Sequence, residues 1–137
     1  MNRAIAQQLL DETHADLVIL AQINLAAGRF ANIDGRRASD PSWRPHPEPR
    51  AMFDAVTVEQ AAQIIAGQVV CDDVPATDGQ RLDVQLGMRR RCVVAVPPVL
   101  EVLVGSLSIF WMQPPKAISE TGYRLELQRV AMKLATW

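Results

Sequence analysis

The chain has 137 residues, 49% of them apolar and 21% charged, with a formal net charge of −1. That length suits one domain with a core of its own, and the composition excludes a disordered segment. Near-neutral charge argues against a nucleic-acid-binding surface, which needs a basic excess. The N-terminal stretch MNRAIAQQLLDETHAD lacks the sustained apolar run of a secretory leader, and no apolar run approaches the roughly 20 residues needed to span a bilayer. The expectation is one cytoplasmic domain over residues 1–137, with neither nucleic acid nor membrane as partner.

Residues 3–13 carry Ile5, Leu9 and Leu10 on one side and predict a helix. ADLVILAQIN (15–24) and AAGRFANID (26–34) read as two strands joined at Gly28, a plausible hairpin. GRRASDPSWRPHPEPR (35–50) is rich in proline and charge and reads as a long loop. Thr57 and Gln60 have capping-box spacing, which starts a second helix with Val58, Ala61, Ala62 and Ile65 as its apolar face. Gly67 ends it. QVVCDDV (68–74) is a strand, and TDGQRLDVQLG (77–87) fits a short, weak helix.

RCVVAVP (91–97) is apolar at nearly every position, as in a strand covered on both faces. LEVLVGSLSIFWM (100–112) alternates. Leu103, Leu107, Ile109 and Trp111 share one face, which belongs on a helix layer. Ser106, Ser108 and Phe110 share the other, where the two serines either wall a pocket or sit under a loop. Pro114 and Pro115 stop the strand. Ser119 caps a final helix, along which Tyr123, Leu127, Val130, Leu134 and Trp137 recur at helical spacing. A terminal apolar Trp137 reads as a dimer contact, a docking contact or core packing. The order is α-β-β-loop-α-β-α-β-β-α, an α+β domain with an antiparallel sheet as its middle layer.

Chemistry-bearing residues are sparse. Cys71 and Cys92 lie in apolar strand patterns without metal-ligand spacing, so they read as buried free thiols of a reducing compartment. His14 sits at the end of the first helix and His46 in the proline-rich loop, neither beside a nucleophile or ligand partner. Asp72 and Asp73 point to opposite faces of a strand, which favours one of them bonding backbone N–H groups of the next turn over a catalytic dyad. Arg89, Arg90 and Arg91 read as a solvated strand start, with an anion site as the alternative.

From about Val58 onward the sequence resembles a GAF domain, a small-molecule sensor module of signalling proteins. AGQVVCDDVPAT (66–77), GMRRRCVVAVPP (87–98), VLVGSLSIFW (102–111) and KAISETGYRLELQRVAMKLA (116–135) carry the resemblance in order. ADLVILAQIN fits the first strand less specifically, and the 35–50 loop is unmatched. One departure is the turn at Val99, Leu100 and Glu101, where the family usually has glycine.

The resemblance implies a GAF-like sheet of about five to six antiparallel strands, with the terminal helices on one face and a ligand pocket on the other. It implies a small-molecule ligand, signalling through the terminal helices of a homodimer, and an output domain on a larger parent protein. The cofactor stays unnamed. The cyclic-nucleotide signature is absent beyond the fragment Phe53-Asp54, neither cysteine has the histidine neighbour of a bilin attachment site, and His46 is the only loop candidate for a haem ligand. Pocket candidates are Phe53, Arg81, Cys92, Val94, Ser106 and Ser108, with Arg81 as the polar anchor, the serines as hydrogen-bond donors and the rest as apolar wall. The alternatives are a free methionine sulfoxide reductase-like redox enzyme using Cys92, for which partner cysteines are missing, and a dimerisation module without a ligand.

Overall fold

The computed structural model describes residues 1, 3–75, 81–96 and 105–135. The elements in order are α1 (Arg3–Thr13), β1 (Leu17–Asn24), β2 (Arg29–Arg37), β3 (Arg50–Ala51), a 3-10 turn (Met52–Asp54), α2 (Val58–Ile65), β4 (Val70–Asp73), α3 (Leu82–Gln85), β5 (Arg90–Val96), β6 (Gly105–Trp111) and α4 (Glu120–Ala135). The strands form one six-stranded sheet in the order β3-β2-β1-β6-β5-β4. Every pairing is antiparallel.

Alternation divides the chain between two layers. On one face Val18, Cys92, Val94, Val96, Leu107, Ile109 and Trp111 pack with Leu9 and Leu10 of α1 and Tyr123, Leu127 and Val130 of α4. Each fully buried leucine here contributes about 1.5–3 kcal/mol through burial. Trp111 ties the layers together. Its indole N–H donates to the Thr13 carbonyl at 3.0 Å, and its ring lies 4.7 Å from that of Tyr123. His14 follows Thr13 with φ at 56°, the left-handed residue that ends α1. At the start of α4, Ser119 Oγ accepts the Gly122 N–H at 3.1 Å, as the expected cap.

The other face carries two smaller apolar groups, Leu17, Ile19 and Phe110 with Val74 and Met88, and Val93 and Ala95 with Ile64 and Val70. α2 begins at Thr57 with both hydrogen bonds of the capping box. Its buried residues are Ala61 and Ile64, whereas Val58 and Ile65 are exposed. The predicted apolar face is thus rotated by part of a turn, because the helix leans against the sheet with its tighter, alanine-bearing side.

Three boundaries differ from expectation. β2 runs to Arg37, since it pairs with β1 as far as Leu17. The proline-rich segment re-enters the sheet as β3, pairing Arg50 and Ala51 with β2. Within 77–87 the described helix is Leu82–Gln85. The turn at Val99 to Glu101, the early part of the 100–112 strand and the terminal Trp137 lie outside the described residues.

Candidate functional site

A cavity of about 610 Å³ opens on the face of the sheet away from α1 and α4. Its floor comes from three neighbouring strands. Ser108 of β6 sits between Ile19 of β1 and Val93 of β5, and Ser106 faces Ala21 across the β1–β6 pairing. Phe110 closes one end, and Ala61, Ile64 and Ile65 of α2 form part of the roof. Further parts of the rim come from β1 and β2, from residues 48–52 and 54–56, and from Arg81, Leu82, Asp83 and Gln85 around α3. That size falls within the roughly 300–1,000 Å³ of small-molecule sites.

The roof is fastened by one buried arginine. Arg91 Nε and Nη2 donate to the two carboxylate oxygens of Asp72 at 2.9 and 2.8 Å, and Nη1 donates to the Ala55 carbonyl at 2.7 Å. Gln60 Nε2 donates to the same carboxylate at 2.9 Å, while Gln60 Oε1 accepts the Thr57 N–H. The capping box of α2 is therefore wired through Asp72 to β5. This bidentate geometry is the strong form of an ion pair. It also corrects the reading of the arginine triplet and the acidic pair. Arg91 is buried, Asp72 takes side-chain donors, and Arg90 bridges Asp73 and Glu120 at 3.2 and 2.8 Å. Sequence reasoning missed this network because register, not spacing, sets Asp72 opposite Arg91 and Asp73 opposite Arg90.

Of the six residues anticipated for a pocket, Arg81, Ser106 and Ser108 line this cavity. The serines are only 8% and 9% exposed, and neither hydroxyl has a hydrogen-bond partner among the described residues. They stand about 7 Å apart along the strand. Arg81 reaches the wall already paired, with Nε and Nη2 donating to Asp83 at 3.0 and 2.7 Å. It therefore presents an ion pair rather than a bare cation. Phe53 is 56% exposed on the 3-10 turn, where its neighbours Met52 and Asp54 line the cavity instead. Cys92 and Val94 lie on the opposite face of the sheet, in the core beneath α1 and α4. Their places in the floor belong to Arg91 and Val93, one residue out of phase.

The cysteines also differ from the free thiols expected. Cys71 and Cys92 are direct partners in the β4–β5 pairing, with Cα atoms 4.1 Å apart, and their sulfurs are bonded. This disulfide sits on the helix side, away from the cavity floor. His46 is exposed on the proline-rich loop and does not line the cavity. Among the described residues no group of His, Cys, Asp and Glu is placed to hold a metal ion, and no helix is long and apolar enough to cross a membrane.

No family model matches the sequence, and no curated protein matches it. Solved structures do. The chain aligns over 97% of its length with the chromophore-binding domain of an unusual bacteriophytochrome from R. palustris, at 16% identity and a TM-score of 0.66. It spans about half of that longer structure, 51%. It aligns over 99% of its length, and 92% of the other chain, with the GAF domain of a two-component sensor histidine kinase from Bacillus halodurans, at 14% identity and a TM-score of 0.63. It is similar too to a free methionine-R-sulfoxide reductase from Neisseria meningitidis in complex with its substrate, over 98% of this chain and 73% of that one, at 12% identity and a TM-score of 0.68. These likenesses are likenesses of fold, and the chain has a GAF-like α+β fold.

Proposed function

We propose that this chain is a regulatory sensor module that binds a small molecule in the 610 Å³ cavity and passes the change to its terminal helices. The observation that carries the reading is the pair of hydroxyls, Ser106 and Ser108, which have no hydrogen-bond partner among the described residues and stand on a central strand beside the apolar side chains of Ile19, Ala21 and Val93. A small number of fixed polar groups in an apolar cleft is the usual composition of a ligand site. The same strand carries Leu107 and Ile109 on its other face, against α1 and α4. A ligand over the serines therefore acts one pleat away from the helices. It can shift a signalling equilibrium only by its differential affinity for the two states.

Dimerisation belongs to the same proposal. Leu125 and Met132 lie two turns apart on α4 and are 61% and 64% exposed, two apolar side chains on the face away from the sheet with Gln128 and Arg129 between them. An output domain on a larger parent protein is consistent with the phytochrome match, whose chain is about twice as long.

The test is native mass spectrometry of freshly purified protein, paired with a denaturing spectrum and a visible absorption scan. Extra mass that disappears on denaturation identifies a bound molecule, and absorbance separates a chromophore from a colourless ligand. Replacing both serines by valine should abolish that mass while leaving the melting temperature nearly unchanged. Retention of the ligand in Ser106→Val/Ser108→Val would remove the site.

A further inference from the structure

A second cavity, of about 240 Å³, lies between the start of α1 and β2. β3 pairs with β2 only at Arg29 and Phe30, so this part of β2 has no strand on its outer side. Three arginines line the cavity, Arg3 from α1, Arg36 from β2 and Arg44 from the proline-rich loop. The one carboxylate among the lining residues, Asp34, is occupied. Its Oδ2 is 2.9 Å from the Met1 ammonium, and its Oδ1 accepts the Gly35 N–H at 2.8 Å.

None of the three arginines meets a carboxylate among the described residues. Arg36 is half-buried. Its Nε donates to the neutral Gln7 amide oxygen at 2.8 Å, and its Nη1 is buried with no acceptor among the described residues. Arg44 is held by the carbonyls of Pro41 and Trp43, at 3.2 and 2.7 Å, which fix its position without neutralising it. Elsewhere in the fold Arg81, Arg90 and Arg91 each meet an acid. A partly desolvated guanidinium without a counter-ion is costly, and three together repel one another.

We propose that this cavity is an anion site for a phosphate group, either inorganic phosphate or a small phosphomonoester. Guanidinium forks match the geometry of phosphate oxygens, and the charge of the cluster matches a dianion. The volume, below the roughly 300–1,000 Å³ of drug-sized sites, limits the ligand to a phosphate with few atoms attached. This site is separate from the larger cavity and does not depend on what that cavity holds.

The experiment is a titration with sodium phosphate and, separately, with glycerol 3-phosphate at constant ionic strength, using the whole chain. Binding is followed by calorimetry and by the NMR signals of the Arg36 Nε–H and the Gly35 amide. Saturable shifts of both signals are expected with at least one of the two probes, and the tighter probe names the source of the phosphate. Arg3→Gln/Arg44→Gln should weaken binding by about tenfold or more, the loss of charge-assisted hydrogen bonds. Asp34→Asn should strengthen it. Arg3 and Arg44 are exposed, so the double variant is expected to melt like the parent without ligand. Absence of saturable shifts with both probes, equal shifts with chloride, or unchanged affinity in the double variant would each overturn the site.

Discussion

Gly105 begins β6 directly opposite Gln22 of β1, and a Cβ there would stand 2.6 Å from the carbonyl oxygen of Ala21. The obstacle is backbone, so it cannot swing aside as a side chain would. Gly105→Ala is therefore expected to lower stability by about 1–3 kcal/mol or more, the cost of overpacking a site that cannot relax. Urea denaturation measures it, and a loss of only a few tenths would show that the two strands part easily. At the same scale, the Glu126 carboxyl is held below its ordinary value, first by its hydrogen bond with Arg129 and against a smaller opposing effect of burial. Arg129 also reaches Glu12 of α1 at 3.5 Å. A depressed carboxyl contributes stability that is present above its unfolded value and lost as pH falls through the lower folded value. Melting temperatures of the parent and Glu126→Gln should thus differ near neutrality and converge in acid. Parallel curves across the range would mean that the Glu126–Arg129 pair within α4 does not stabilise the fold.

Among the elements, β4 is the one that carries a covalent link to its neighbour. It is a four-residue edge strand whose one strand partner among the described residues is β5, and the Cys71–Cys92 bond spans that pairing across a sequence separation of 21. Closing a loop of this length is worth roughly 3 kcal/mol in the chain-entropy account. A reductant should therefore lower the melting temperature of the parent and leave Cys71→Ala/Cys92→Ala unaffected. A thiol titration in denaturant without reductant should find no free thiol; two would show that the pair is open. Much of the element order was legible, because α1, α2 and α4 carry helical periodicity and caps, and β6 alternates cleanly. What was not legible follows from β5. RRCVVAV is apolar on both faces, so its pattern carries no phase. The pattern points Cys92 and Val94 at the cavity whereas Arg91 and Val93 face it, and the disulfide partner is not legible because pairing register is a tertiary property.

At the scale of the whole molecule, the proposed assembly rests on Leu125 and Met132. Leu125→Glu/Met132→Glu should convert a dimer into a monomer in light scattering without changing the ligand mass seen in native spectra. A monomeric parent would detach signalling through α4 from self-association. The two faces of the sheet were separable in the sequence where alternation was strict, as in Ser106 and Ser108 against Leu107 and Ile109. The roof of the cavity was not, since it depends on the Asp72–Arg91 pair folding α2 back over the floor. The alternation in β6 has a further consequence for how such a chain can change over time. Selectivity and folding are written on alternate letters of one strand. Substitutions at 106 and 108 can retune the floor while 107, 109 and 111 keep the core, so new preferences are reachable by point changes. A one-residue insertion within the strand exchanges both sets at once, placing serines under the helices and leucine in the cavity. An extra residue within a strand must therefore be absorbed by a bulge, as where the β1–β2 register shifts between Leu20 and Ala21, if the phase of the pleat is to be kept.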